Sequence, residues 1–182
     1  MIDTVSNKTF HFNRLAIDLH PEVYDPAEDS FLLIKALKIR HRDKVLEIGT
    51  GCGLIALECA RRGAHVVYTD INPFAVQLAH HNWEKNSHMV KGAADGRQGD
   101  LFSPIEEGEF FDVIIFNPPY LPTTEREKIG GWFDVATNGG TDGIRVIIRF
   151  LENLRKYLSQ NGLAYFVFSS LSNRADLEKH IN

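Results

Sequence analysis

The chain has 182 residues, within the range of one domain, and its 43% hydrophobic and 24% charged side chains describe a globular protein able to bury a sizeable core. Its 20 basic and 24 acidic residues give a net charge of −4, which argues against a protein whose main partner is the nucleic-acid backbone, since a basic patch is the usual footprint there. Two cysteines, Cys52 and Cys59, exclude a disulfide framework and a four-cysteine zinc site.

The start, Met1-Ile2-Asp3-Thr4, has no basic stretch followed by an apolar one, and no run of about eighteen apolar residues marks a membrane span. A single domain over residues 1–182 is expected, in a reducing cytoplasm, with 1–24 as a cover segment and 25–182 as the core. In the cover, His11, Phe12, Leu15, Ile17 and Leu19 suggest a short hairpin. Asp25-Pro26-Ala27-Glu28 reads as a helix start, with Asp25 as N-cap, Pro26 first and Glu28 third. That helix should run to about Leu37. Val45-Leu46-Glu47-Ile48 is a first strand, followed by the glycine turn Gly49-Thr50-Gly51-Cys52-Gly53 and a helix over 54–62 that Gly63 closes. Val66-Val67-Tyr68-Thr69 is a second strand ending at Asp70, and Asn72-Pro73 caps a helix from 74 to about 84. Between 85 and 99 only Met89, Val90, Ala93 and Ala94 are apolar, so a third strand is expected here but barely encoded. Residues 112–116 form the clearest strand, a continuous apolar run suited to burial on both faces. A long loop over 121–140 has the length of a functional lid. Ile144, Ile147, Ile148, Leu151, Leu154 and Leu158 mark an amphipathic helix ended by Asn161-Gly162. A fifth strand over 163–168 and a last helix over 174–181 follow. This order gives an α/β fold, a mostly parallel sheet with helices on both faces.

The chemistry concentrates at the carboxyl ends of these strands, where ligands of open α/β sheets bind. Asn117-Pro118-Pro119-Tyr120 follows the clearest strand. Its two prolines fix φ and remove two N–H donors, leaving the Asn117 oxygen and nearby carbonyls as acceptors. Such a site suits a planar nitrogen that carries hydrogens, an amide or an exocyclic amine, with Tyr120 packing on the flat group. The glycine turn is Gly-x-Gly-x-Gly rather than Gly-x-Gly-x-x-Gly, since the sixth position is Leu54, so a dinucleotide is less favoured. Asp70 is placed to accept from ribose hydroxyls, Glu47 sets a carboxylate near the ligand, and Asp100-Leu101 pairs a carboxylate for an adenine amine with an apolar wall. Each acid alone reads as a solvated strand end. Their joint placement favours a cationic ligand such as S-adenosylmethionine, which carries a sulfonium and an ammonium.

The sequences Leu46-Glu47-Ile48-Gly49-Thr50-Gly51-Cys52-Gly53, Asp70-Ile71-Asn72-Pro73 and Asn117-Pro118-Pro119-Tyr120 together resemble the class I S-adenosylmethionine-dependent methyltransferases, and more narrowly the HemK/PrmC family of release-factor glutamine N5-methyltransferases. The segment Val23-Tyr24-Asp25-Pro26-Ala27-Glu28-Asp29-Ser30-Phe31-Leu32-Leu33 is similar to the short archaeal and eukaryotic branch, and Gly139-Gly140-Thr141-Asp142-Gly143 resembles the family's glycine stretch. The resemblance implies a Rossmann-like fold and methylation of the Gln side-chain amide in the Gly-Gly-Gln loop of a class I release factor, with S-adenosylhomocysteine as coproduct. It implies that Asn117 and Pro118 accept from the amide, that Pro119, Tyr120 and Tyr24 shape its pocket, and that Glu28, Ser30, Gly49, Thr50, Gly51, Gly53 and Ile71 join Glu47, Asp70, Asp100, Leu101 and Asn117 around the cofactor. Glu28 has a second reading as a helix-capping residue. The resemblance further implies a small zinc-binding activator subunit beside the third strand, and a last antiparallel strand pair that this chain lacks or shortens. No metal site is expected in the chain itself. Two rivals stand beside this reading. One is an adenine-N6 methyltransferase on DNA or RNA, which the same tetrapeptide would serve, and the other is a non-catalytic scaffold subunit. Methylation of another protein side chain is a further alternative.

Overall fold

The computed structural model describes residues 8–122, 130–170, 172 and 174–181. Its centre is a five-stranded parallel sheet built from β3 (Lys44–Ile48), β4 (His65–Asp70), β5 (Ala94–Gln98), β6 (Phe111–Phe116) and β7 (Leu158–Phe166), in the order β5-β4-β3-β6-β7. From β3 the chain winds outward through β4 and β5, then returns to lay β6 and β7 on the other side. The strand order therefore reverses between β3 and β6, and a crevice opens at their carboxyl ends.

Side chains of the central strands alternate between two cores. Val45, Val66, Tyr68, Val113 and Ile115 pack toward α1 (Glu28–Ala36), α2 (Leu54–Arg61) and α3 (Pro73–Lys85), whereas Leu46, Ile48, Ile114 and Phe116 pack with Phe102 and Phe150. Phe150 belongs to α5 (Arg145–Leu154), which the spacing of its isoleucines makes strongly amphipathic. Two-sided burial of Val113, Ile114, Ile115 and Phe116 is why β6 ends in an unbroken apolar run.

The cover segment is a hairpin of β1 (Thr9–Phe12) and β2 (Leu15–Asp18), whose two turn residues Asn13 and Arg14 have φ of 46° and 70°. Positive φ at both positions matches the twist of the flanking strands. The hairpin is bound to α3 by two asparagines. Asn86 accepts from Ala16 N and donates to Ala16 O, both at 2.9 Å, and Asn82 accepts from Asp18 N at 2.8 Å and donates to Asp18 O at 3.0 Å. Four helical residues rise about 6 Å and two strand residues about 6.7 Å, so the i, i+4 amides meet the i, i+2 peptides in register.

Three expectations need correction. α1 begins at Glu28, not at Pro26, and Ala27 occupies the N-cap position without a side-chain bond. The preceding residues stay outside the helix because Asn72 Nδ2 holds the Glu22 carbonyl at 2.7 Å and Val23-Tyr24 lies over the glycine turn. The segment 121–140 is not all loop, since it contains α4 (Gly131–Thr137); its residues 123–129 lie outside the described part. α5 ends at Leu154, and Leu158, Asn161 and Gly162 belong to β7, whose pairing with β6 is irregular between Phe111 and Val113. The weakly encoded third strand is β5, where Gly96 lies opposite Tyr68 and leaves room for the Tyr68 ring against its backbone. The chain's last described helix is α6 (Arg174–Ile181). Among the described residues no helix is long and apolar enough to cross a membrane, and no group of three His, Cys, Asp or Glu is placed to hold a metal ion.

Candidate active site

A cleft of about 480 Å³ opens where the strand order reverses. Its floor is the turn between β3 and α2. Gly53 there has φ of +81°, and a Cβ on it would stand 2.9 Å from Ala79 Cβ, so only glycine lets α3 close against the turn. Glu47, next to last in β3, is buried, and its Oε2 accepts from Thr50 Oγ1 at 2.7 Å and from Ala56 N at 3.0 Å. Burial pushes its carboxyl up to about 8, against the opposing pull of those two bonds. Asp70 ends β4 with both oxygens engaged by backbone: Gly51 N donates to Oδ2 at 3.0 Å and Asn72 N to Oδ1 at 2.9 Å. Its pKa is also raised by burial, which outweighs these donors. Asp70 thus ties the glycine turn to the turn that follows β4, and the Thr50 N bond to the Thr69 carbonyl repeats the link between the two strand ends.

The opposite wall follows β6. Asn117 lines the cleft, and its Oδ1 is buried with no hydrogen-bond partner among the described residues. A buried orphan acceptor costs roughly 1–3 kcal/mol, so this atom awaits a donor. Pro118, Pro119, Tyr120 and Leu121 continue the wall. Leu121 is pinned by two backbone bonds, Leu121 N to Thr137 O at 3.3 Å and Gly139 N to Leu121 O at 2.9 Å. The tetrapeptide is therefore braced by the segment that follows α4. The Tyr120 hydroxyl donates to Asp29 Oδ2 at 2.9 Å. Burial, then this bond, pushes the phenol up to about 12. Across the mouth Tyr24 lies 6.2 Å from Phe133, ring to ring, and burial raises its pKa as well, with Asp29 and Asp25 adding to the shift.

Of the residues expected to form the site, Tyr24, Ser30, Glu47, Gly49, Thr50, Gly51, Asp70, Ile71, Asp100, Leu101, Asn117, Pro118, Pro119 and Tyr120 line this one cleft. Glu28 does not. It is exposed on α1, and its neighbour Asp29 faces the cleft instead. Gly53 sits behind the lining and serves the packing just described. Asp100 is engaged on one oxygen already, because Arg149 donates to its Oδ2 at 2.6 Å. Asp29, Trp132, Asn138, Arg145 and Arg149 also line the cleft and were not anticipated. The two arginines had a signal in the sequence, an i, i+4 pair on the polar side of α5.

A parallel sheet with a glycine turn, acids at successive strand ends and an orphan acceptor beside them suits a nucleoside-bearing ligand and a nitrogen acceptor. Residues 22–131 match the family model described as methyltransferase small domain. The chain belongs to that family. This methyltransferase is 46% identical over 160 residues to a Methanocaldococcus jannaschii protein provisionally named protein N5-glutamine methyltransferase, covering 87% of this chain and 78% of that one. It is 30% identical over 175 residues to the eRF1 methyltransferase catalytic subunit mtq2 of Schizosaccharomyces pombe, covering 85% and 76%. Among solved structures, the 16S rRNA methyltransferase RsmC of Thermus thermophilus, in complex with AdoMet and guanosine, superposes with a TM-score of 0.69 at 24% identity, covering 93% of this chain and 43% of that one. That likeness concerns the fold of the methyltransferase.

Proposed function

We propose that this methyltransferase transfers a methyl group from S-adenosylmethionine to the side-chain amide nitrogen of the Gln in the Gly-Gly-Gln motif of a class I peptide-chain release factor, in the cytoplasm. The observation that carries the reading is the buried, unpartnered Asn117 Oδ1 at the cleft wall. An amide N–H₂ is the donor that completes it. The names of the two relatives, one for N5-glutamine and one for eRF1 methylation, support the same acceptor.

The cleft fits the cofactor: two acids, Glu47 and Asp70, stand at successive strand ends, and the exposed Ile71 and buried Leu101 offer apolar walls. S-adenosylmethionine, when bound, supplies an electrophilic methyl on a sulfonium. Gly49, Thr50 and Gly51 would approach it by backbone, Asp70 would accept from ribose hydroxyls, and Asp100 from the adenine amine, with Ser30 toward the methionine end. Asn117 and the Pro118 carbonyl would orient the amide nitrogen and stabilise the positive charge that develops on it, which an amide needs because its lone pair is delocalised. Tyr120, Pro119 and Tyr24 would hold the flat group of the glutamine.

A small zinc-binding activator subunit beside β5 belongs to the same reading. Among the described residues β5 pairs only with β4, and Ala94-Asp95-Gly96-Arg97-Gln98 has little apolar surface of its own. An open strand edge of this kind is a pairing template.

The test is methyl transfer from labelled S-adenosylmethionine to a release factor, to its Gln→Ala form in the Gly-Gly-Gln loop, and to duplex and single-stranded DNA, each with and without a zinc-binding activator. Label on the release factor is expected, lost in the Gln→Ala form. Labelled DNA beside an inert release factor would overturn the reading in favour of adenine methylation.

A further inference from the structure

Arg149 reaches from α5 to the loop after β5, where its Nη2 donates to Asp100 Oδ2 at 2.6 Å. Both side chains line the cleft. They are also about half exposed, 53% and 43%, and ion pairs in that setting contribute little to stability. Stability therefore does not account for the arginine. The loop is already held to α5 by Phe102 stacked on Phe150 at 5.6 Å. Leu101, between Asp100 and Phe102, is buried at φ +49°, a left-handed conformation that strains a residue with a Cβ. Strain of this kind persists where the surroundings over-determine it, and it clusters at ligand sites. With the backbone so fixed, rotation of the Asp100 carboxylate is the freedom that remains, and Arg149 removes it.

We infer that Arg149 is a positioning residue that sets base preference in the cofactor cleft by holding Asp100 as an acceptor for an exocyclic amine. The inference rests on the reading of the cleft as an adenosyl site. A carboxylate has about four acceptor positions on two oxygens, so one bond from Arg149 leaves the others available. A 6-amino purine donates to them. A 6-oxo purine presents a carbonyl where the amine donated, loses that bond, and keeps a donor only at the neighbouring N1.

The experiment is calorimetric binding of S-adenosylhomocysteine and of its deaminated 6-oxo counterpart to the wild-type chain and to the R149A, R149K and D100N variants. The wild type is expected to prefer the 6-amino ligand by about tenfold or more. R149A should lose roughly fivefold in affinity for the 6-amino ligand and less than about twofold for the 6-oxo one, so the preference shrinks. R149K should recover part of the loss, and D100N should abolish the preference. Equal weakening of both ligands by R149A would make the arginine merely structural, and no change in either would make the pair idle; both results overturn the inference while leaving the cofactor reading intact. A wild type that binds neither ligand overturns that reading as well.

Discussion

The two walls of the cleft are built on opposite terms. On the β3–β4 side the acids that line the cleft are already bonded within the protein, Glu47 to Thr50 and Ala56 and Asp70 to Gly51 and Asn72, with Thr50 N on the Thr69 carbonyl, and the one buried group there without a partner among the described residues, Thr69 Oγ1, lies behind the lining. On the β6 side Asn117 Oδ1 has no partner among the described residues, and Leu121, Phe133 and Val135 expose large apolar side chains nearby. A wall whose groups are satisfied keeps its shape before anything binds. A wall with an orphan acceptor and open apolar surface is completed by what arrives. On the proposed reading the cofactor side is thus preorganised, and the acceptor side would draw its last bonds from the substrate.

Removing Asn117 would break this comparison at its sharpest point. Asn117→Ala is expected to lower kcat for methyl transfer about 10²–10³-fold, while the dissociation constant of S-adenosylhomocysteine changes by less than about threefold, because the lost bond is made to the acceptor substrate. Equal losses in both would place Asn117 in the cofactor cradle and erase the distinction between the walls. The preorganised wall is tested by Gly53→Ala. A Cβ there meets Ala79 and must adopt positive φ, together worth about 2–4 kcal/mol, and thermal unfolding should show Tm lowered by roughly 5–15 °C. An unchanged Tm would mean that α3 and the turn can move apart. The link between the walls is the Tyr120 hydroxyl on Asp29. Tyr120→Phe and Asp29→Asn should each lower kcat/KM about three- to tenfold, and the double variant should be no worse than either alone. Additive losses would show that the two side chains act separately.

The walls also differ in how far the sequence exposed them. The glycine turn, the acids at strand ends and the Asn-Pro-Pro-Tyr segment were legible because backbone freedom and strand-end position are local properties. β5 was nearly invisible, since Ala94-Asp95-Gly96-Arg97-Gln98 becomes a strand through pairing with β4 and cover from the Tyr68 ring, both distant in sequence. The start of α1 was misread for a similar reason. Asp25-Pro26 has a good capping pattern, but tertiary bonds to Glu22 and contacts over the glycine turn keep that segment out of the helix. The same shift leaves Glu28 exposed on α1 and brings Asp29 into the cleft instead. The Asn161-Gly162 pair looked like a helix stop and lies inside β7, where irregular pairing with β6 accommodates it.

The smallest effect concerns the protonation of the preorganised wall. Burial sets the Glu47 carboxyl near 8, against an ordinary value of 4.5. Between those values the folded chain keeps a proton that the unfolded chain has released. The stability linked to Glu47 is therefore complete below pH 4.5 and declines as pH rises toward 8. Binding of a cation runs the other way, because it favours the ionised carboxylate and must expel the proton at lower pH. Affinity for S-adenosylmethionine should rise severalfold from pH 6.5 to 8.5 as thermal stability falls, and Glu47→Gln should flatten both trends. Calorimetry and thermal unfolding over that range would measure the two slopes. If the wild type and Glu47→Gln share the same slopes, Glu47 takes no part in holding the cation, and the charge of the satisfied wall resides in Asp70 alone.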